Sequence, residues 1–287
     1  MQVSSAWSPP SGTLGSLVAA AVLRVEALHP RRAAIERSAS VAPAPPEFAA
    51  ALAAQTGTVA SGSTTPARTL AIIAEIKRRS PSKGQLAPDL HASERAARYV
   101  AGGAAAISVL TEPERFGGSL DDLREVSATV PVPVLRKDFI IDPIQLFEAR
   151  ALGASAALLI ARALDPRQLI MLVAAARGAG IEPLVEIRDE RELGHALAAG
   201  ARVIGVNNRN LETLEVDPGT AARVIPLIPT GIVAIAESGV ATRRDAEAAA
   251  AIGADAILVG SALSLASDGA AAVRALAGVA RGHRAAG

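Results

Sequence analysis

The chain has no cysteine, which excludes disulfides and thiolate metal sites and leaves the cytosol as the default compartment. Aromatic residues make up only 2% of it, so any core must be aliphatic and rich in alanine. No apolar run reaches the ~20 residues that span a bilayer. The Leu17–Leu23 run is preceded by no basic residue, unlike a secretory signal. Leu14, Val18, Ala21, Val22, Val25 and Leu28 recur at the spacing of a soluble amphipathic helix. An excess of either charge is missing too. With 29 basic and 28 acidic residues the net charge is +1, and no nucleic-acid or membrane partner is implied. A monomer is expected. None of the four histidines (His29, His91, His195, His283) follows a candidate strand, so a metal site or a histidine-based triad is disfavoured.

Lysine is the most telling scarcity. Only Lys77, Lys83 and Lys137 are present; all other basic residues are arginine. Arginine cannot be deprotonated in a protein, whereas lysine can be tuned and can donate a proton. Lys77 and Lys137 each end an apolar, β-branched run, which points to ammonium chemistry at strand ends. Lys83 lies in a loop and reads as a lid residue or a solvated charge.

The 287 residues, half of them apolar, can bury one large α/β domain or two smaller ones. Residues 1–13 read as a frayed tail. A helix over 13–28, an arginine-rich turn, Pro43–Pro46, a short helix over 47–54 and a Gly/Ser/Thr linker over 56–66 follow. Residues 1–69 thus form a helical extension with no strand of its own, expected to pack on the rest. From Leu70 strands alternate with helices. Strands are expected at 71–77, 105–110, 132–137, 155–160, 182–187, 202–207, 231–237 and 255–259. Helices are expected at 92–102, 119–128, 142–152, 165–179, 189–199, 218–225, 241–251 and 263–280. Gly102-Gly103, Gly153, Gly180, Gly200 and Gly253 stop helices before the next strand. Asp142-Pro143 and Asp165-Pro166 start them, and Asp121-Asp122 reads as a cap. Eight βα units in ~215 residues is the count of a (β/α)8 TIM barrel, here over 70–281 with a frayed end at 282–287. A doubly wound open sheet competes, but no Gly-x-Gly-x-x-Gly follows the first strand.

Active sites of such barrels lie at the carboxyl ends of the strands. Those positions carry Glu75 and Lys77, Lys137, Glu186, Asn207 and Arg209, and Glu237 and Ser238. Glu75 and Lys77 are two residues apart on one strand and so point to the same side. Ser238-Gly239 and Gly260-Ser261, after the last two strands, suit an anion cradle of backbone N–H groups with short helices starting there. Phe116 and Phe139, in the loops after strands 2 and 3, are either core filler or flank a flat aromatic substrate.

Taken in order, Glu75-Ile-Lys-Arg-Arg-Ser80-Pro-Ser-Lys-Gly84, Ser108–Glu112 with Phe116–Ser119, Leu135–Phe139, Leu184–Ile187, Gly205–Arg209, Ala236–Gly239 and Val259–Ser261 resemble indole-3-glycerol phosphate synthase. That resemblance implies ring closure of 1-(2-carboxyphenylamino)-1-deoxyribulose 5-phosphate with loss of CO2 and water, in tryptophan biosynthesis, with no cofactor or metal. It implies Lys137 as general acid, Glu186 as acid/base in the dehydration, and Lys77 at the substrate carboxylate. Glu75, Asn207 and Glu237 would orient these groups, with Arg209 and Ser80 near the substrate. Phe116 and Phe139 would be its aromatic walls, and Ser238, Gly239, Gly260 and Ser261 its phosphate site. Three departures stand out: Ala87-Pro-Asp-Leu-His91 replaces an acidic segment, Asn210 follows Arg209 where aspartate is usual, and the linker before strand 1 is long. Alternatives are a Schiff-base aldolase acting through Lys137, a phosphoribosylanthranilate isomerase-like barrel, and a non-catalytic barrel that binds a phosphorylated metabolite.

Overall fold

The structure, a computed structural model, describes residues 7–57, 67–82, 84–88 and 90–284; Lys83 lies outside them. Eight strands close into a parallel barrel. They are β1 (Ala71–Ile76), β2 (Ala106–Leu110), β3 (Val134–Lys137), β4 (Ala156–Ile160), β5 (Glu182–Ile187), β6 (Val203–Asn207), β7 (Val233–Glu237) and β8 (Ala256–Val259), each hydrogen-bonded to the next. β8 closes on β1, with Val259 opposite Ala74. Both faces are buried, as the continuous apolar runs require. The expected strands match to within two residues at either end.

The helices between the strands are α4 (Ala92–Ala101), α5 (Pro113–Phe116), α6 (Leu120–Thr129), α7 (Pro143–Ala151), α8 (Pro166–Gly178), α9 (Glu190–Ala198), α10 (Gly219–Val224), α11 (Arg243–Ala251), α12 (Ser261–Leu265) and α13 (Gly269–Leu276). Asp142 and Asp165 cap α7 and α8 as read from the sequence. Asp122 does not cap α6. Ser119 takes that place, its Oγ accepting from the Asp122 N–H at 3.0 Å, and the Asp122 carboxylate instead holds Arg78. The single helix expected over 263–280 is broken in two, because Asp268 accepts the Ala271 N–H and starts a new helix.

Before the barrel come α1 (Gly12–Leu28), α2 (Arg32–Val41) and α3 (Phe48–Ala53). α2 was not expected. Half of its residues are polar, and only Ile35 and Ala39, four apart, are buried. Ile35 packs with Val25 of α1 on Ile144 of α7. α3 buries Phe48 and Leu52 against β1, β2 and β7. The expectation that this region has no strand fails, since Thr56–Gly57 pairs antiparallel with Ala67–Arg68.

Ser8, Ser11 and Arg284 are tied down inside stretches where fraying was expected. Glu212 accepts from the N–H and hydroxyl of Ser11, at 2.7 and 2.9 Å, and Arg162 donates to the Ser8 carbonyl. Arg284 donates to the carbonyls of Gly253 and Ile232, and Arg281 and Arg284 both pair with Asp255 at the start of β8. Residues 1–6 and 285–287 lie outside the described residues. Among those described, no helix is long and apolar enough to cross a membrane.

Candidate active site

Along each barrel strand alternate side chains face the axis. The last inward positions of β1, β3, β5, β6 and β7 are Glu75, Lys137, Glu186, Asn207 and Glu237. The register aligns Glu237 with Asn207, and Ile160 with Glu186. The other inward strand ends are apolar: Leu110, Leu158, Ile160 and Leu258 floor a cavity of about 570 Å³. Every site residue read from the sequence lines this one cavity: Glu75, Lys77, Ser80, Phe116, Lys137, Phe139, Glu186, Asn207, Arg209, Glu237, Ser238, Gly239, Gly260 and Ser261.

Lys137 Nζ lies 2.6 Å from Glu237 Oε2, 3.7 Å from Glu186 Oε2 and 3.9 Å from Glu75 Oε2. Lys77 Nζ pairs with Glu75 Oε1 at 2.6 Å. Burial by itself would lower the Lys137 ammonium, but Glu237, Glu186 and Glu75 outweigh it and hold its pKa above the ordinary value. Burial would likewise raise Glu75, yet Lys77 and then Lys137 bring it below the usual carboxylate range. Glu186 goes the other way. Burial, reinforced by Glu237, pushes it up to about 8, against the opposing pull of Lys137 and the Asn207 amide, which donates to Glu186 at 3.0 Å. Five ionisable groups thus share the cavity floor, and burial together with Glu237 favours the protonated form of one of them, Glu186. Such a spread of pKa values is characteristic of acid–base machinery.

Arg209 donates to the Leu214 carbonyl at 2.8 Å and, among the described residues, has no carboxylate partner. Leu214 holds a left-handed backbone (φ 69°) to present that carbonyl. Asn210 Oδ1 accepts from the Glu212 N–H at 2.9 Å, pinning the same loop.

Ser238 and Gly239 are both left-handed, φ 62° and 88°. For serine that is a strained conformation, and such strain clusters at ligand sites. A helix does not start there: α11 begins only at Arg243, with Thr242 as its cap. α12 does begin at Ser261, beside Gly260. Gly260 has a second role. A Cβ there would stand 2.9 Å from Lys77 Nζ and 3.1 Å from the Glu75 carboxyl carbon, so the ion pair requires a residue without a side chain.

Phe116 and Phe139 face each other across the cavity wall, ring centroids 6.3 Å apart and planes at 36°. Thr13 and Leu17 of α1 also line the cavity; sequence reading missed them because nothing in a helix pattern says which barrel opening it will cross. The altered segment after Gly84 is anchored through Arg78, which donates to the Leu90 carbonyl at 3.0 Å and accepts at its own carbonyl from the Leu86 N–H.

The sequence model of the indole-3-glycerol phosphate synthase family matches residues 16–276. An indole-3-glycerol phosphate synthase of Kineococcus radiotolerans is 54% identical over 201 residues, 70% of this chain and 73% of that one. Indole-3-glycerol phosphate synthase 2 of Streptomyces coelicolor is 46% identical over 274 residues, 93% of this chain and 100% of that one. The crystal structure of 3-hexulose-6-phosphate synthase from Salmonella typhimurium superposes with a TM-score of 0.59 at 17% identity, covering 72% of this chain and 96% of that one; that likeness is one of fold. By the match along its length and by these relatives, the chain belongs to the indole-3-glycerol phosphate synthase family.

Proposed function

We propose that the cavity converts 1-(2-carboxyphenylamino)-1-deoxyribulose 5-phosphate to indole-3-glycerol phosphate, releasing CO2 and water. The observation that carries this reading is the Lys137 ammonium held by the Glu237 and Glu75 carboxylates, with the Glu186 carboxyl, whose pKa is pushed up to about 8, 3.7 Å from the same nitrogen. As the aromatic carbon attacks the ketone, the ketone oxygen gains negative charge and becomes far more basic than in the ground state. Lys137, kept loaded by its neighbours, gives up its proton at that moment. Loss of CO2 restores the aromatic ring. Removing the hydroxyl then needs a proton on the leaving oxygen and the departure of another from the adjacent carbon. Glu186 supplies the first, and the Glu75–Lys77 pair across the cavity accepts the second. Asn207 orients Glu186, and Glu237 orients Lys137. Ser238, Gly239, Gly260 and Ser261 take the phosphate. Arg209 lies near the substrate along with Ser80, and Phe116 and Phe139 hold the aryl ring.

The aldolase alternative needs a neutral amine at Lys137, and the surrounding carboxylates work against one. A phosphoribosylanthranilate isomerase-like reaction leaves the second lysine without a role. Adding the carboxyphenylamino substrate to the protein is the test: indole absorbance should appear, stoichiometric with CO2. Tight binding without turnover, or a borohydride-trapped adduct on Lys137, would refute the assignment.

A further inference from the structure

Arg24 belongs to α1, in the extension, yet its guanidinium is inserted between two buried carboxylates from different barrel loops. Its Nη2 donates to Asp138 Oδ1 at 3.0 Å, and its Nη1 lies 3.9 Å from Glu112 Oε1. The Nη1 atom is buried and makes no hydrogen bond. Both carboxylates are next to one of the aromatic walls and set its backbone. Asp138 Oδ1, the atom Arg24 touches, also accepts the Phe139 N–H at 2.8 Å. Glu112 caps α5, accepting from the N–H groups of Glu114, Arg115 and Phe116 at 3.0, 2.8 and 3.0 Å.

Charge makes the arrangement depend on Arg24. Glu112 is fully buried, and among the described residues Arg24 is the one cation within 4.0 Å of it. Asp138 has a second partner, Arg136 at 3.1 Å, but that guanidinium is shared with Glu148 at 2.9 Å. Three buried carboxylates therefore divide two guanidiniums. Removing Arg24 would leave Glu112 with backbone donors alone, a costly state for a buried charge. Asp138 and Glu112 could then relax only by moving the residues that they hold, Phe139 and Phe116.

We propose that Arg24 is a positioning residue, whose guanidinium from the extension fixes the placement of the packed pair Phe116 and Phe139 and so the shape of the aromatic wall that a flat arylamine meets. This rests on the assignment of that substrate above. The extension thereby acts on the cavity through one side chain, which sets two walls carried by separate loops.

The test compares Arg24→Met, which keeps the apolar stem, with Arg24→Lys and with Arg32→Met. Arg32 joins α2 to the barrel through Asp142 at 3.3 Å and touches neither wall. Arg24→Met should raise KM for the carboxyphenylamino substrate about tenfold and lower kcat less, as misplaced binding groups do. Arg24→Lys should recover part of the loss, and Arg32→Met, which breaks only surface ion pairs, should leave KM within about twofold. Equal KM shifts in the two methionine variants would overturn the proposal. A second readout does not need turnover. The chain has four phenylalanines, so fluorine NMR of fluorophenylalanine-labelled protein gives few resonances. Those of Phe116 and Phe139 should move in Arg24→Met, while that of Phe48 should not. If they stay in place the proposal fails, whatever the activity; if wild-type protein has no activity, the substrate assignment fails while the NMR result still decides whether Arg24 sets the walls.

Discussion

Lys137 and Glu237 are one hundred residues apart in sequence, yet Nζ and Oε2 meet at 2.6 Å on the barrel floor. The same ammonium is within 4.0 Å of Glu75 and Glu186. Replacing Lys137 by alanine should lower kcat by about 10²–10⁴, the range for a lost general acid, with an unchanged circular dichroism spectrum. Lys137→Arg should rescue little, because a guanidinium holds its proton too firmly to give it away. Near-normal turnover in either variant would remove Lys137 from the chemistry.

Glu186 gives activity and stability a pH dependence of defined sign. Its pKa in the folded protein is raised to about 8. As a proton donor it is competent below that value, so kcat/KM should fall as pH rises through it. The residual activity of Glu186→Gln should lack that limb. The same raised value means that folding favours the protonated form. The stability this group contributes is complete on the acid side of its unfolded pKa and is lost as pH climbs through about 8. Between pH 7 and 9 the melting temperature of the wild type should therefore fall more than that of Glu186→Gln.

Gly260→Ala should separate fold from function. The added methyl would meet Lys77 and Glu75, so the pair must part or turn. A loss of about 10- to 100-fold in kcat/KM is expected from displaced reacting groups, with the melting temperature changed by a few degrees at most. Full activity would show that the pair need not keep its position.

Asp255 should behave in the opposite way. It sits at the far end of the barrel from the cavity, pairing with Arg281 and Arg284 and accepting the Ala234 N–H at 2.7 Å. Asp255→Ala strands two half-buried guanidiniums and should destabilise by about 3 kcal/mol, read as a lower urea midpoint, with kcat unchanged. A drop in kcat at permissive temperature would mean that the two ends of the barrel communicate.

The inward side chains were legible in sequence because period two and the strand-exit rule together name the positions. Glu75, Lys137, Glu186, Asn207 and Glu237 needed nothing further. What stayed hidden depends on contacts between segments with no local signature. α2 buries only two of its residues and carries three arginines counting its flank, so its pattern said turn; its partner Ile144 lies far along the chain. Nothing in the helical pattern of α1 singles out Arg24, since only the packing of α1 across the barrel brings it to Asp138. Gly260 read as a phosphate contact, and its close approach to Lys77 depends on the register between β8 and β1.

That register has a kinetic corollary. Gly260 follows the last staves of the ring, whereas its ionic neighbours come from the first, so the catalytic floor is incomplete until the two extremities of the repeat are zipped together. During recovery from denaturant, regained turnover should time that final zipping, while ellipticity registers chiefly the earlier winding of the outer coils.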